Sequence, residues 1–182
     1  MTLAIPLCYA AGMTTRIPRG APDLPYVYGA PGHLMRRSHQ IAVALFFEEL
    51  RQFKITPPQY ASLVAIMDQP GVGQRRLADL VAIDRSTIGT LLQRLEKKGL
   101  IRRLTSETDQ RANQLFITDA GRDLLLRSRK AIERSQERLL EPLKPRERLM
   151  FLRMLARLVH MNNDASRVPL KIAPQVEATD QD

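Results

Sequence analysis

Cysteine is almost absent from this chain. Cys8 is the one cysteine in 182 residues, so no intramolecular disulfide framework can form. Histidine is scarce too. His33, His39 and His160 are too scattered for the close ligand spacing of a zinc site, and no metal is expected. No Ser/His/Asp set, phosphate-cradling loop or dinucleotide glycine pattern is present. That argues against an enzyme acting on a bound aromatic compound, and against a cofactor. No apolar run approaches the roughly 20 residues that span a bilayer. Leu3 to Met13 is briefly apolar, but no basic region precedes it and Pro6 interrupts it, so it does not read as a signal peptide. A cytoplasmic protein without a membrane partner is expected. Acidic residues are also in deficit, 19 against 28 Lys and Arg, for a net charge of +9. That balance favours polyanions. A basic protein of the membrane surface would carry a similar total, so the pattern has to decide.

The pattern lies between Gln74 and Gly121. Leu77, Leu80 and Val81 form one buried helical stripe. Ile83 and Asp84 interrupt it, with Asp84 placed to cap a second helix by accepting the N–H of Ser86 or Thr87. That helix buries Ile88, Leu91, Leu92 and Leu95 and stops at Gly99, with Lys97 and Lys98 beside its C-terminus. The opposite face carries Ser86, Thr90, Gln93 and Lys97, flanked by Arg85, Thr87, Gly89 and Arg94. Small hydroxyls and glycine allow close approach to a groove wall, Gln can read a base edge, and Lys and Arg can reach phosphates. Any surface helix has a polar face; the short helix before it and the hairpin after it make this one part of a DNA-docking unit.

The hairpin comprises Leu100 to Thr105 and Gln114 to Ile117, both rich in apolar and β-branched residues. The loop SETDQRAN joins them and is too long for a two-residue turn, so its tip projects. Arg102, Arg103 and Arg111 make the hairpin basic. An arginine at such a tip suits the narrow minor groove; a solvated loop with a local Asp109–Arg111 ion pair is the alternative. Thr118 is placed to cap the next helix. From Gly71 to Leu115 there are nine Lys and Arg against five Asp and Glu.

This stretch resembles the MarR family of bacterial regulators. The resemblance rests on Asp84-Arg85-Ser86-Thr87, on Leu95-Glu96-Lys97-Lys98-Gly99-Leu100-Ile101, and on Asp109-x-Arg111 followed by Leu115-x-Ile117-Thr118-x-x-Gly121. It extends over about Gly32 to Asn163. It implies a mainly helical winged helix-turn-helix protein that dimerises, binds pseudo-palindromic double-stranded DNA and is released by a small ligand. Ser86, Thr87 and Arg94 match the family's recognition-helix positions, Arg111 its minor-groove arginine, and Asp109 the residue bracing the wing. Two departures stand out. Lys144 occupies a position where the family caps its last helix with Ser or Thr, and a long N-terminal arm precedes the core. The family includes thiol-based peroxide sensors, but Cys8 lies in that arm, away from the core helices.

Three regions follow. Residues 1–31 read as an extended arm, since Pro22, Pro25 and Pro31 argue against a helix; Tyr26, Val27 and Tyr28 could dock on a partner subunit, and Arg16 and Arg19 could touch phosphate. Residues 32–163 form the winged helix domain, with dimerisation helices over 32–53 and 119–162 and the DNA-binding part over 57–117. Residues 164–182 read as a flexible tail. Thr56-Pro57-Pro58-Gln59 is a strong helix start for a helix carrying Tyr60, Leu63, Val64 and Met67. Leu149-Met150-Phe151-Leu152 is apolar around most of a turn, which calls for burial on two sides. A two-fold homodimer supplies the second side and sets two recognition helices roughly 34 Å apart.

The family places its effector pocket between the dimerisation helices and the reader. There the chain offers His33, Arg36, Arg37, His39 and Gln40, with Phe46, Phe47, Tyr60 and Met67 as apolar walls. Arginine suits a carboxylate and the aromatics a planar ring, so a small aromatic carboxylate or its coenzyme A thioester is the expected effector. Arg36 and Arg37 could equally be solvated or bind DNA phosphate, and Phe46 could be core. The leading reading is a ligand-responsive repressor; the alternative is a non-specific architectural DNA-binding protein, against which the base-reading face of Ser86, Thr90 and Gln93 speaks.

Overall fold

A computed structural model describes residues 24–105 and 113–171. The order is helix α1 (Leu24–Gly29), α2 (Pro31–Glu49), α3 (Pro57–Asp68), strand β1 (Val72–Gly73), α4 (Gln74–Leu80), α5 (Arg85–Lys97), β2 (Ile101–Thr105), β3 (Asn113–Ile117), α6 (Asp119–Leu140) and α7 (Pro145–Met161). It is mainly helical, with a small antiparallel sheet ordered β1-β3-β2, as expected of a winged helix-turn-helix.

The arm departs from expectation where it is described: α1 is helical despite its proline. Pro25 falls in the first turn, where its missing N–H has no intrahelical acceptor to lose and its fixed φ is already helical. Pro31 opens α2 in the same way. The helix expected to reach Phe53 stops at Glu49. A 3₁₀ turn follows over Arg51–Phe53, and Lys54 takes a left-handed φ of 50°. That bend sends both Leu50 and Ile55 into the core. Thr56 then starts α3 with the expected reciprocal cap: its hydroxyl accepts the Gln59 N–H at 3.4 Å, and the Gln59 side chain accepts the Thr56 N–H at 3.2 Å. The buried face of α3 is Gln59, Ser62, Leu63 and Ile66, with Val64 and Met67 exposed. Apolar residues ring this helix, so spacing alone does not select a face.

Helices α4 and α5 end in the same hydrogen-bonded turn. Leu100 N–H reaches the Leu95 carbonyl past Gly99 at φ +69°, and Ile83 N–H reaches the Ala78 carbonyl past Ala82 at φ +50°. Glycine fits the first turn; alanine holds the second against its Cβ. In the sheet, Ile101, Leu115 and Ile117 alternate into the core, and β2 pairs with β3 from Ile101↔Ile117 to Thr105↔Asn113. The third strand was not anticipated. Val72 and Gly73 pair with Leu115 and Gln114, and two residues are too few to show a period.

Thr118 caps α6 as expected. Its hydroxyl accepts the Gly121 N–H at 3.1 Å and donates to the Gly99 carbonyl at 2.6 Å. Small buried residues on α6, Ser128, Ala131 and Ser135, line the helix that packs on α2. Three cross-helix ion pairs fix that packing: Arg134 Nε and Arg138 Nη1 each donate to Glu49 at 2.9 Å, and Arg138 Nη2 donates to Glu48 at 3.1 Å. These hydrogen bonds, from Arg134 first and Arg138 second, hold the Glu49 carboxyl below its ordinary 4.5. Lys144 precedes α7 without a side-chain cap, because an ammonium cannot accept; the Glu147 carboxylate instead accepts the Lys144 N–H at 2.7 Å. α7 has no buried residue. The two sides expected for Leu149 to Leu152 are both open in a single chain. Past Ala165, where a loose tail was expected, the chain lies against α4 as far as Lys171, whose N–H reaches the Asp79 carbonyl at 3.4 Å.

Candidate nucleic-acid interface

Helix α5 is amphipathic in the manner its spacing predicts. Ile88, Leu92 and Leu95 are fully buried and Leu91 nearly so, against the core built by α3, α4 and the sheet. Arg85, Ser86, Thr87, Thr90, Gln93, Arg94 and Lys97 are all exposed. Gly89 sits among them with only the Gln74 side chain near where a Cβ would lie. No described carboxylate pairs with Arg85, Arg94 or Lys97. The helix therefore offers hydroxyls and an amide between cations that no described carboxylate pairs, on a rigid element whose far side is fixed by packing.

One expected detail fails at the start of α5. Asp84 stands at the N-cap with extended backbone, and its carbonyl accepts from Thr87 and Ile88 at 2.9 Å, but its side chain makes no cap bond. Arg167 Nε lies 3.5 Å from the Asp84 carboxylate instead. An exposed carboxylate that can pair with a cation gains little by turning onto its own helix.

At the other end, Lys98 points away from the polar face. Its ammonium donates to the Lys54 carbonyl and to Gln59 at 3.4 Å, tying α5 to the left-handed bend before α3. Of the hairpin arginines, Arg103 lies 3.1 Å from Glu96 and is only 22% exposed, so it joins β2 to α5. Arg102 stacks over the Phe116 ring, 5.7 Å from its centroid, directly across the strand pair. Arg111 and Asp109 lie outside the described residues, as do Cys8, Arg16 and Arg19.

The residues expected to hold an effector are not gathered by one chain. His33, Arg36, Arg37, His39 and Gln40 lie on the N-terminal half of α2, where all but His33 are exposed. Arg37 donates to Gln40 at 2.9 Å, Arg36 is 3.5 Å from the His33 ring, and Tyr28 packs on that ring at 5.4 Å. Phe46 is core and meets Tyr60 edge-on at 6.4 Å. Burial pushes the Tyr60 phenol above its ordinary 10.0. Met67 is exposed at the end of α3. A groove of about 580 Å³ is lined by Ala44, Phe47, Glu48, Leu50, Arg51, Lys54, Ile55 and Thr56; Phe47 is the one expected pocket residue it contains. Its lining comes from the α2–α3 bend, which no periodicity marks. No described helix is long and apolar enough to cross a membrane.

Comparison with known proteins gives a consistent result. The MarR family model matches residues 55–112, which span α3 through the start of the wing. The regulatory protein assigned to the hcr operon of Thauera aromatica is 33% identical over 75% of this chain and 82% of its own length. The PcaV transcriptional regulator of Streptomyces coelicolor, solved with its natural ligand, is 32% identical with a TM-score of 0.67, covering 77% of this chain and 96% of PcaV. BpsR of Bordetella bronchiseptica, whose DNA binding is regulated by 6-hydroxynicotinic acid, is 26% identical with a TM-score of 0.69, covering 76% of this chain and 97% of BpsR.

Proposed function

The chain belongs to the MarR family of transcriptional regulators, and from that premise we propose that it is a dimeric repressor released from a pseudo-palindromic operator by a small aromatic carboxylate or its coenzyme A thioester. The observation that carries the DNA part is the exposed row on α5. Ser86, Thr90 and Gln93 read base edges in the major groove, while Arg85, Thr87, Arg94 and Lys97 hold the phosphates on either side. Arg111 enters the minor groove and Asp109 braces the wing that carries it.

Dimerisation follows from α7. Leu149, Met150, Phe151, Leu152, Met154, Leu158 and Val159 are each 40% exposed or more in one chain. So continuous an apolar surface marks an interface. A second copy covers it and completes the space beside His33, Arg36, Arg37, His39 and Gln40, where the effector carboxylate meets cations. The aromatic acid that acts on BpsR supports that effector class, and the ligand bound by PcaV supports control by a small molecule.

The test is a titration of labelled duplexes, one selected from a random library by the protein and one unselected. A regulator prefers the selected duplex by orders of magnitude, and Gln93→Ala relaxes preference at one position by roughly 1–3 kcal/mol. Equal affinity for both duplexes would establish the architectural alternative. Asp109→Ala should weaken binding although it removes a negative charge; tighter binding would refute the bracing role. Hydroxylated benzoic and nicotinic acids, added to the preformed complex, should release DNA, and a panel with no effect removes this effector class.

A further inference from the structure

Beyond α7 the chain turns back on itself and meets the reader. A 3₁₀ turn over Asn163–Ala165 begins the return. The Asn163 side chain then clasps Leu170 at both backbone groups, donating to its carbonyl at 3.1 Å and accepting its N–H at 2.9 Å. Ser166 closes a smaller turn with Val168. Val168, Pro169 and Leu170 are half-buried in an otherwise exposed stretch. Lys171 anchors the end on α4, its N–H to the Asp79 carbonyl at 3.4 Å and its ammonium to the Asp79 carboxylate at 3.1 Å. Between clasp and anchor, Arg167 is presented beside Asp84, the residue preceding α5.

We propose that this C-terminal strap is a second phosphate-binding element of the DNA interface, with Arg167 contacting a phosphate beside the N-terminus of α5. The inference rests on the reading of α5 as the major-groove helix. In that geometry the first reader helix crosses the backbone and the second enters with its N-terminus leading, so phosphates pass the α4–α5 turn. Two carboxylates, Asp79 in the last turn of α4 and Asp84 just before α5, flank that passage and oppose them. The strap brings one cation to each. Arg167 does more than offset a charge. Its side chain is 86% exposed, its approach to Asp84 is by Nε at 3.5 Å, and its Nη groups make no hydrogen bond to a described residue. A guanidinium held this way keeps its forked donors free for phosphate oxygens. The exposed Arg167–Asp84 pair itself contributes almost nothing to stability. The strap is instead held by Asn163, the half-buried apolar residues and Lys171, so Arg167 is positioned without its own pairing being needed.

The experiment is a titration of the full chain on a labelled duplex selected from a random library, at several salt concentrations. Arg167→Ala is expected to lower the slope of log affinity against log salt by about one per half-site, with an unchanged thermal midpoint. Arg167→Lys should restore the slope. The decisive variant is Asp84→Asn with Arg167→Ala. If Arg167 contacts phosphate, the double variant keeps the lowered slope; if Arg167 only offsets Asp84, it returns to the wild-type slope and the proposal is overturned. A wild-type slope for Arg167→Ala alone also overturns it. Arg94→Ala separates this failure from that of the underlying reading, because a wild-type slope there as well would remove α5 from the phosphate contacts.

Discussion

Gly121 is the residue at which α6, the β2–β3 hairpin and the end of α5 meet, and replacing it with alanine is the sharpest test of how they are joined. A Cβ at Gly121 would lie 2.3 Å from the Leu100 carbonyl oxygen and 2.7 Å from Ile117 Cγ1. Real Cβ contacts essentially never fall below 3.0 Å, so the gap to the backbone must open by about 0.7 Å. The obstacle is not a flexible side-chain end. The Leu100 carbonyl also accepts the Thr118 N–H at 3.1 Å, and the Thr118 hydroxyl caps α6 through Gly121 itself. Overpacking of this kind costs about 1–3 kcal/mol, and straining the Thr118 bond adds up to about 1 kcal/mol. Alanine returns at most about 1 kcal/mol through helix propensity. The net is a loss of about 2 kcal/mol, or a fall in Tm of roughly 4–8 °C for a chain of this size. Calorimetry at fixed protein concentration measures it, with Gly32→Ala as the control. Gly32 sits in the first turn of α2 with nothing within 4 Å of its Cβ position, so that variant should gain about 0.4–1 kcal/mol. A Gly121→Ala protein as stable as wild type, or two variants shifted alike, would refute the close-approach argument.

Other outcomes follow from the same geometry. Ala82→Gly should raise stability by up to about 1 kcal/mol, because alanine at φ +50° bears the left-handed penalty that glycine avoids; a lower urea midpoint would contradict it. Leu158→Asp should shift sedimentation from dimer toward monomer with the far-ultraviolet helix signal retained, since Leu158 is 47% exposed in one chain; a wild-type protein that sediments as a monomer at micromolar concentration defeats the dimer. Glu49 carries a pH dependence of defined sign. Its folded carboxyl titrates below its ordinary 4.5, so its contribution is complete above that value and is lost as pH falls through the lowered one. Urea midpoints between about pH 5 and pH 2 should fall less steeply for Glu49→Gln than for wild type, and parallel curves would rule the pairing out as a source of acid sensitivity.

What the sequence made legible divides along physical lines. Thr56, Gly99 and Thr118 could be placed because caps and helix stops are satisfied within three or four residues of themselves, and the structure bonds or bends each as its type requires. The α5 face was legible because one side of that helix is uniformly apolar and the other uniformly polar, so a single period orders it. In α3 apolar residues ring the helix, and the choice of Ile66 over Val64 and Met67 is made by neighbours far along the chain. Asp84 shows the converse failure. Its type and position predicted a local cap, yet a cation 83 residues away took the carboxylate. Partners so distant leave no periodic trace, and the same holds for Glu49 with Arg134 and Arg138.

The effector residues were illegible for a different reason. The proposed base-reading row belongs to the surface of one helix, α5, and is complete on one chain. The cations of α2 and the apolar face of α7 are both left uncovered in that chain. On the proposed reading, they acquire walls only when a second copy is added. A pocket between subunits is a property of the pair. Its chemistry can be read as residue types in the sequence, but its shape cannot be read from one chain's periodicity or fold. This makes an ordered test possible: Leu158→Asp, by separating the subunits, should abolish aromatic-acid binding measured directly by calorimetry even though no pocket residue has been changed. Retained binding by the separated subunits would place the effector site within one chain, and the groove at the α2–α3 bend, with Phe47, Arg51 and Lys54, would then be the site to examine.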